Sequence, residues 1–245
     1  KETSQNDARG GNYATTCYTK VMKFIFWDWN GTLMNDAPIL WRSFNELATS
    51  RGGRATTFES YRQIYRHPVK EMYEQVGVDF TRHNFEEMAT EWHGLYHRLL
   101  DGVELHHDAV HALNTFKKRG SRQVVVSALP HDFLEKIVDR YAVRNFFEHI
   151  SGVPDELAHS KVETAIAMAQ RLSAHGRDIT VIGDSSHDAE VAKELSANCV
   201  LVARGAESRE RLEAHGFQVL DDFSGLTFLL EYSPRPEYES DHRVK

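Results

Sequence analysis

Asp28 stands at the end of an apolar run, Lys23-Phe24-Ile25-Phe26-Trp27, and is followed at once by Trp29-Asn30-Gly31-Thr32-Leu33. A strand can hold a carboxylate rigidly at its C-terminal edge, and in open α/β sheets that edge is where ligands bind. Asp28 is therefore the first candidate for chemistry, as a nucleophile or a metal ligand. Read alone, the same residues also suit an ordinary βα turn, because Asn30 and Gly31 both tolerate left-handed backbone angles.

Three later stretches carry matching chemistry in a fixed order. Gln123-Val124-Val125-Val126-Ser127-Ala128 is a β-branched strand that delivers a hydroxyl, Ser127. Lys161 follows at the mouth of a long helical pattern, in Ala158-His159-Ser160-Lys161-Val162-Glu163. Last comes Asp178-Ile179-Thr180-Val181-Ile182-Gly183-Asp184, a buried-type strand ending in a carboxylate, with Asp188 four residues beyond it. Each motif is weak by itself, whereas four in this order, each placed against a strand or helix, are specific. Together they resemble the haloacid dehalogenase superfamily, in its phosphoglycolate phosphatase and β-phosphoglucomutase-like branch. The resemblance runs from about Met22 to about Leu226.

The resemblance implies a Rossmann-like α/β fold, a parallel sheet with helices on both faces, interrupted by a small helical cap. It also implies phosphoryl transfer, in which Asp28 is the nucleophile and forms an aspartyl phosphate that water hydrolyses. Mg²⁺ would be held by Asp28, the main-chain carbonyl of Asn30 and Asp184, consistent with that ion's preference for a few hard oxygens. Ser127 would donate to the phosphoryl group, Lys161 would offset charge, and Asp188 would hold Lys161 or a metal-bound water. Thr32 and Ala128 fall on the substrate side.

One position departs from the pattern. The family's second aspartate, which protonates the leaving alkoxide and activates water, is Asn30 here. An amide does neither, and general acid–base catalysis typically contributes about 10²- to 10⁴-fold. Three readings follow: a slow phosphatase, a noncatalytic relative that binds a phosphorylated ligand or a protein, or a chain altered to trap a complex. His187 and His159 are conceivable substitute acids. For substrate choice, Tyr65-Arg66-His67-Pro68-Val69-Lys70 is the strongest loop, since Arg66, His67 and Lys70 surround a helix start. Arg42 and His131 are weaker candidates. The His106-His107-x-x-x-His111 cluster has metal-like spacing but is expected to lie far from Asp28.

These residues need elements to position them. Ile39, Leu40, Phe44 and Leu47 space like one helix face; Val69, Met72, Tyr73 and Val76 like a second; Phe85, Met88, Ala89, Trp92, Leu95, Tyr96 and Leu99 like a third. From Asp101 onward, helices and strands alternate, which implies right-handed crossovers and a parallel sheet. The expected organisation is a disordered extension over 1–20, a core over 21–35 and 101–230, a helical cap over 36–100 and a loose tail over 231–245.

With 245 residues, the chain accommodates one such core and an inserted lobe. A formal charge of −7 argues against nucleic acid as a partner and leaves a small phosphorylated metabolite. Cys17 and Cys199 lie far apart and suggest no disulfide framework. No run approaches the roughly 18 apolar residues of a membrane span. A cytoplasmic monomer or homodimer is expected.

Overall fold

The computed structural model describes residues 22–154 and 161–226. The expected terminal segments, Cys17 and His159 lie outside the described residues. Strand β1 (Phe24–Trp27) buries every one of its side chains, as an unbroken apolar run does when both faces of a sheet are covered. Alternation along the strand sends Ile25 and Trp27 into one hydrophobic cluster and Phe24 and Phe26 into another.

Five further strands, β2 (Arg122–Pro130), β3 (His149–Val153), β4 (Ile179–Gly183), β5 (Asn198–Val202) and β6 (Gln218–Leu220), join β1 in the order β3-β2-β1-β4-β5-β6. Every pairing is parallel. Parallel neighbours need crossovers, and amphipathic helices supply them. Helices α5 (Ala109–Lys118) and α6 (His131–Arg140) pack Leu113, Phe116, Leu134 and Ile137 on the Trp27 face. Helices α7 (Lys161–Leu172), α8 (Ser186–Glu194) and α9 (Arg209–Glu213) pack Ala165, Met168, Ala192 and Leu212 on the Phe26 face. The sheet grows from β1 to β3 on one side and from β4 to β6 on the other, so a crevice opens where β1 meets β4. Asp28 lies there, its N–H donating to the Ile182 carbonyl at 2.8 Å and extending the ladder by one residue.

Helices α1 (Ala37–Ser50), α2 (Phe58–Ile64), α3 (Lys70–Gln75) and α4 (Phe85–Leu99) lie between β1 and α5. Helix α1 buries Ile39, Leu40, Phe44 and Leu47, as their spacing requires. Helix α4 buries Met88, Leu95 and Tyr96, with Trp92 stacked on Tyr96 at 5.1 Å. Helix α2 adds to the three expected: it buries only Tyr61, so it has no periodic signature, and a capping box between Thr57 and Ser60 starts it. No helix among the described residues is long and apolar enough to cross a membrane. Cys199 is buried.

Gln123 is the one long polar side chain buried in β2. Its amide accepts from Trp27 Nε1 and donates to the Leu113 carbonyl, both at 2.9 Å, tying β1 and β2 to α5. Replacing it by Leu would leave a buried indole N–H and a carbonyl without partners. Gln123→Leu is expected to lower unfolding free energy by about 1–3 kcal/mol, measured by urea denaturation; an unchanged midpoint would contradict this.

Candidate active site

Among the described residues, the crevice holds one ammonium and three carboxylates, all buried. Asp28 extends from the end of β1, Asp184 follows β4, Asp188 lies in the first turn of α8, and Lys161 opens α7. Lys161 Nζ donates to both Asp28 Oδ1 and Asp188 Oδ1. Burial alone would pull its pKa down, but Asp188 and Asp28 more than reverse that, and it ends above the ordinary lysine range. Asp188 shows the reciprocal effect: burial raises it, while Lys161 and the Ser185 hydroxyl bring it below the usual carboxylate value. Its Oδ2 accepts from the Ser185 hydroxyl at 2.8 Å and from the Ser185 N–H at 3.1 Å. Asp188 is thus fully occupied in holding Lys161 and capping α8.

Asp28 and Asp184 have less compensation. Burial raises Asp28 to about 6 despite Lys161. Burial, followed by repulsion from Asp28 and Asp188, puts Asp184 well above its usual value. Thr32 Oγ1 lies 3.1 Å from both Asp28 Oδ2 and Asp184 Oδ1, bridging them. Ala206 N–H donates to Asp184 Oδ2 at 2.6 Å. Gly31 and Gly205 pass so close to Asp184 that a Cβ on either would overlap its carboxylate, and Gly31 has φ +67° besides.

Asn30 does not stand free. Its amide nitrogen donates to Asp36 Oδ2 at 2.6 Å and to Tyr96 Oη at 2.7 Å, and Tyr96 Oη donates to the same Asp36 oxygen at 2.7 Å. Asp36 Oδ1 accepts from Gly31 N–H at 2.7 Å. Asp36 is wholly buried, and burial raises its pKa in spite of these donors. It precedes α1 at the N-cap position, but its side chain turns to Asn30 and leaves the helix uncapped.

The remaining expected residues divide. Ser127 is buried in the C-terminal half of β2 and accepts from Leu129 N–H at 3.1 Å, and Ala128 beside it is exposed. Arg66 and His67 line a cavity of about 340 Å³ with Ser185, Ser186, His187 and Glu207, and the rings of His67 and His187 lie 4.8 Å apart. Burial, then Lys161 and His67, pushes His187 down to about 4. Lys70 does not join them; its ammonium rests over the Phe80 ring. Arg42 is exposed on α1, and His131 Nδ1 accepts from Gly152 N–H at 3.4 Å.

His106 corrects an expectation. Rather than lying far from Asp28, its Nε2 is 3.2 Å from the Gly31 carbonyl, and burial with Arg204 pushes it down to about 4. The loop from α4 to α5 returns against the Asp28 turn, a closeness that histidine spacing does not reveal. Arg62 and Asp36 are connections that local patterns conceal. Arg62, from α2, donates to the carbonyls of Ala203, Gly205 and Glu207 at 2.8–3.0 Å, fastening the inserted helices to the loop that holds Asp184.

The donor set suits a hard divalent cation. Oxygens of Asp28, Asp184 and Asp188 lie within 4.8 Å of one another, and one ammonium leaves their negative charge in excess. With Asp188 committed to Lys161, Asp28 and Asp184 are the oxygens with charge to spare.

The family of haloacid dehalogenase-like hydrolases matches residues 25–202, and the chain belongs to it. Phosphoglycolate phosphatase 1 of Pseudomonas aeruginosa is 20% identical over 202 residues, covering 76% of this chain and 71% of that protein. Among solved structures, a predicted phosphatase from Clostridium acetobutylicum superposes with TM-score 0.70 at 18% identity, over 86% of this chain and 99% of that one. A predicted phosphoglycolate phosphatase from Haemophilus somnus gives 0.65 at 16%, over 84% and 97%.

Because burial raises Asp28 and Asp184 in spite of Lys161, protons compete with a metal for the same oxygens. Divalent-cation affinity measured by calorimetry is expected to fall as pH drops through about 6. Constant affinity down to pH 5 would contradict this ligand set.

Proposed function

We propose that the protein is a Mg²⁺-dependent phosphatase acting on a small phosphorylated metabolite through an aspartyl phosphate on Asp28. Carrying this reading is the Asp28 carboxylate itself, gripped by Lys161 on one oxygen and bridged through Thr32 to Asp184 on the other. That arrangement aims a rigid nucleophile out of a sheet edge and surrounds it with charge compensation.

Asp28 attacks phosphorus from its fixed position, and Lys161 offsets charge on the nucleophile and the transferring oxygens. Ser127, in the C-terminal half of β2, donates to the phosphoryl group, and the exposed Ala128 lies beside it. Asp188 acts through Lys161, setting its place without touching substrate. Bound to Asp28, Asp184 and the Asn30 carbonyl, Mg²⁺ would supply charge neutralisation for the phosphoryl oxygens. Helices α1 to α4 serve as a cap over the crevice, with Arg66 and His67 reaching the part of the substrate that is not transferred. The cavity of about 340 Å³ lined by Arg66, His67 and Ser185 does not include Asp28 in its wall, and it has room for the part of a small molecule that is not transferred. The names of the relatives make phosphoglycolate-like compounds and sugar phosphates the first to assay. Asn30 makes turnover of such alkyl esters slow.

A second reading, a noncatalytic phosphate-binding relative, is favoured by one observation: position 30 is an amide whose N–H groups are engaged by Asp36 and Tyr96. Retention of Asp28, Lys161 and Asp184 in working contact weighs against it, since a binder has little use for a nucleophile.

Purified protein is expected to release p-nitrophenol from p-nitrophenyl phosphate with Mg²⁺ and not in EDTA, and Asp28→Asn to reduce the rate to background. Undiminished turnover in EDTA, or in the Asp28 variant, would reject the proposal.

A further inference from the structure

The polar groups around Asp28 differ in what they can give to a departing oxygen. Lys161 is shared between two carboxylates, and Thr32 is engaged by Asp28 and Asp184. Asn30 follows Asp28 by two residues, the spacing that returns an extended chain to the same side, while Trp29 between them is buried in the core. An amide nitrogen carries two hydrogens; here one goes to Asp36 and the other to Tyr96. The opposite amide orientation would set its carbonyl against the Asp36 carboxylate, so electrostatics selects the one described. Asn30 therefore has only its carbonyl oxygen, an acceptor, left over. His67 and His187 line the cavity with their rings 4.8 Å apart, and Tyr65 Oη lies 3.3 Å from His67 Nε2.

We propose that the Asp36–Tyr96 clamp on Asn30 leaves the site, among the described residues, without a proton donor for the departing oxygen, and that its substrates are acyl phosphates. The inference rests on the phosphatase reading above and specifies its substrate class. In an acyl phosphate the leaving group is a carboxylate, stable at neutral pH without a proton. The Asp28 oxygen forms a bond to phosphorus as the bond from phosphorus to the acyl oxygen breaks, and the electron pair departs on the carboxylate. Phosphoryl transfer thus runs from one carboxylate to another, between acceptors of similar basicity. The aspartyl phosphate is itself an acyl phosphate. When water attacks its phosphorus, Asp28 is regenerated as an anion without protonation, and the water proton passes to solvent with inorganic phosphate as product. An alkyl ester differs at the first step: its alkoxide is a far stronger base and leaves poorly unless protonated. Asp36 and Tyr96 are positioning residues in this scheme, acting through Asn30.

The test compares Mg²⁺-dependent phosphate release from acetyl phosphate and phosphoglycolate, each corrected for spontaneous hydrolysis, in the full-length protein and variants. The ratio of kcat/KM values is read because common losses in folding or metal binding cancel from it. The wild-type ratio is expected to exceed about 10² in favour of acetyl phosphate, the lower end of a general acid's contribution. That ratio also includes intrinsic reactivity, so the variants decide. Asn30→Ala should leave it within about threefold, since the amide donates nothing to the leaving oxygen, whereas Asn30→Asp should narrow it about tenfold or more. Comparable wild-type rates on the two substrates overturn the inference alone. So does a ratio that widens tenfold in Asn30→Ala or in His187→Asn, which would locate a proton donor at that residue. If Asn30→Asp fails to fold, the alanine variant still decides. Absence of Asp28-dependent release from either substrate overturns the phosphatase reading and this inference together.

Discussion

A buried ammonium between two buried carboxylates is the interaction on which the rest depends. Removing one partner of such a group costs about 3–5 kcal/mol, because the others stay uncompensated in a poorly polarisable surrounding. Lys161, Asp28 and Asp188 come from three separate elements, α7, β1 and α8. Their meeting fixes how those elements sit on the sheet. Strand β1 carries Asp28 to an edge because it is apolar on both faces and flanked by β2 and β4. Helix α8 can present Asp188 because Ser185 and its own first turn satisfy the remaining carboxylate oxygen. Even after Lys161 is counted, charge is in excess at Asp28 and Asp184. That excess gives the site its attraction for a cation.

The inserted helices are tied to this centre at two points that differ in kind. Arg62 spans from α2 to three main-chain carbonyls of the loop whose Ala206 N–H holds Asp184. A planar, permanently charged fork is suited to such a task, and a lysine would not reach the same set of acceptors. At the second point, Tyr96 from α4 and Asp36 from the entry to α1 engage the Asn30 side chain. The inserted segment therefore also determines which atom of the position 30 side chain is left unengaged. Asp36 has a structural consequence as well: by accepting from Gly31 N–H it braces the turn whose positive φ lets the chain pass Asp184.

Much of the fold was legible because burial on both faces leaves a strong mark in sequence. The strands that form the middle of the sheet are unbroken β-branched or aromatic runs, and α1 and α4 have helical spacing of large side chains. Helices α2 and α9 and strand β6 had no such mark, being short and, in α2 and α9, burying a single side chain each. At the site, Asp28, Lys161, Asp184 and Asp188 could be singled out because each ends a strand or opens a helix, and Ser127 because it follows a β-branched run; their order and the family resemblance, more than any one local pattern, brought them together. What stayed hidden depended on contacts distant in sequence. Asp36 reads locally as a helix cap, Tyr96 as one more apolar position on α4, and Arg62 as a solvated cation. His106 looked like part of a remote surface cluster, yet the chain folds back and sets it against Gly31. Lys70 belonged by composition to the same loop as Arg66 and His67, but the direction of α3 sends it to Phe80.

The central claim, that Asp28 accepts the phosphoryl group, can be observed without reference to overall rate. Protein quenched in acid during turnover of acetyl phosphate with Mg²⁺, then digested and mapped by mass spectrometry, should carry one phosphoryl group on the peptide that contains Asp28. Borohydride reduction should convert that residue to homoserine. Phosphate release at the same rate with Asp28 unmodified throughout, or with the label on another residue, would contradict the account.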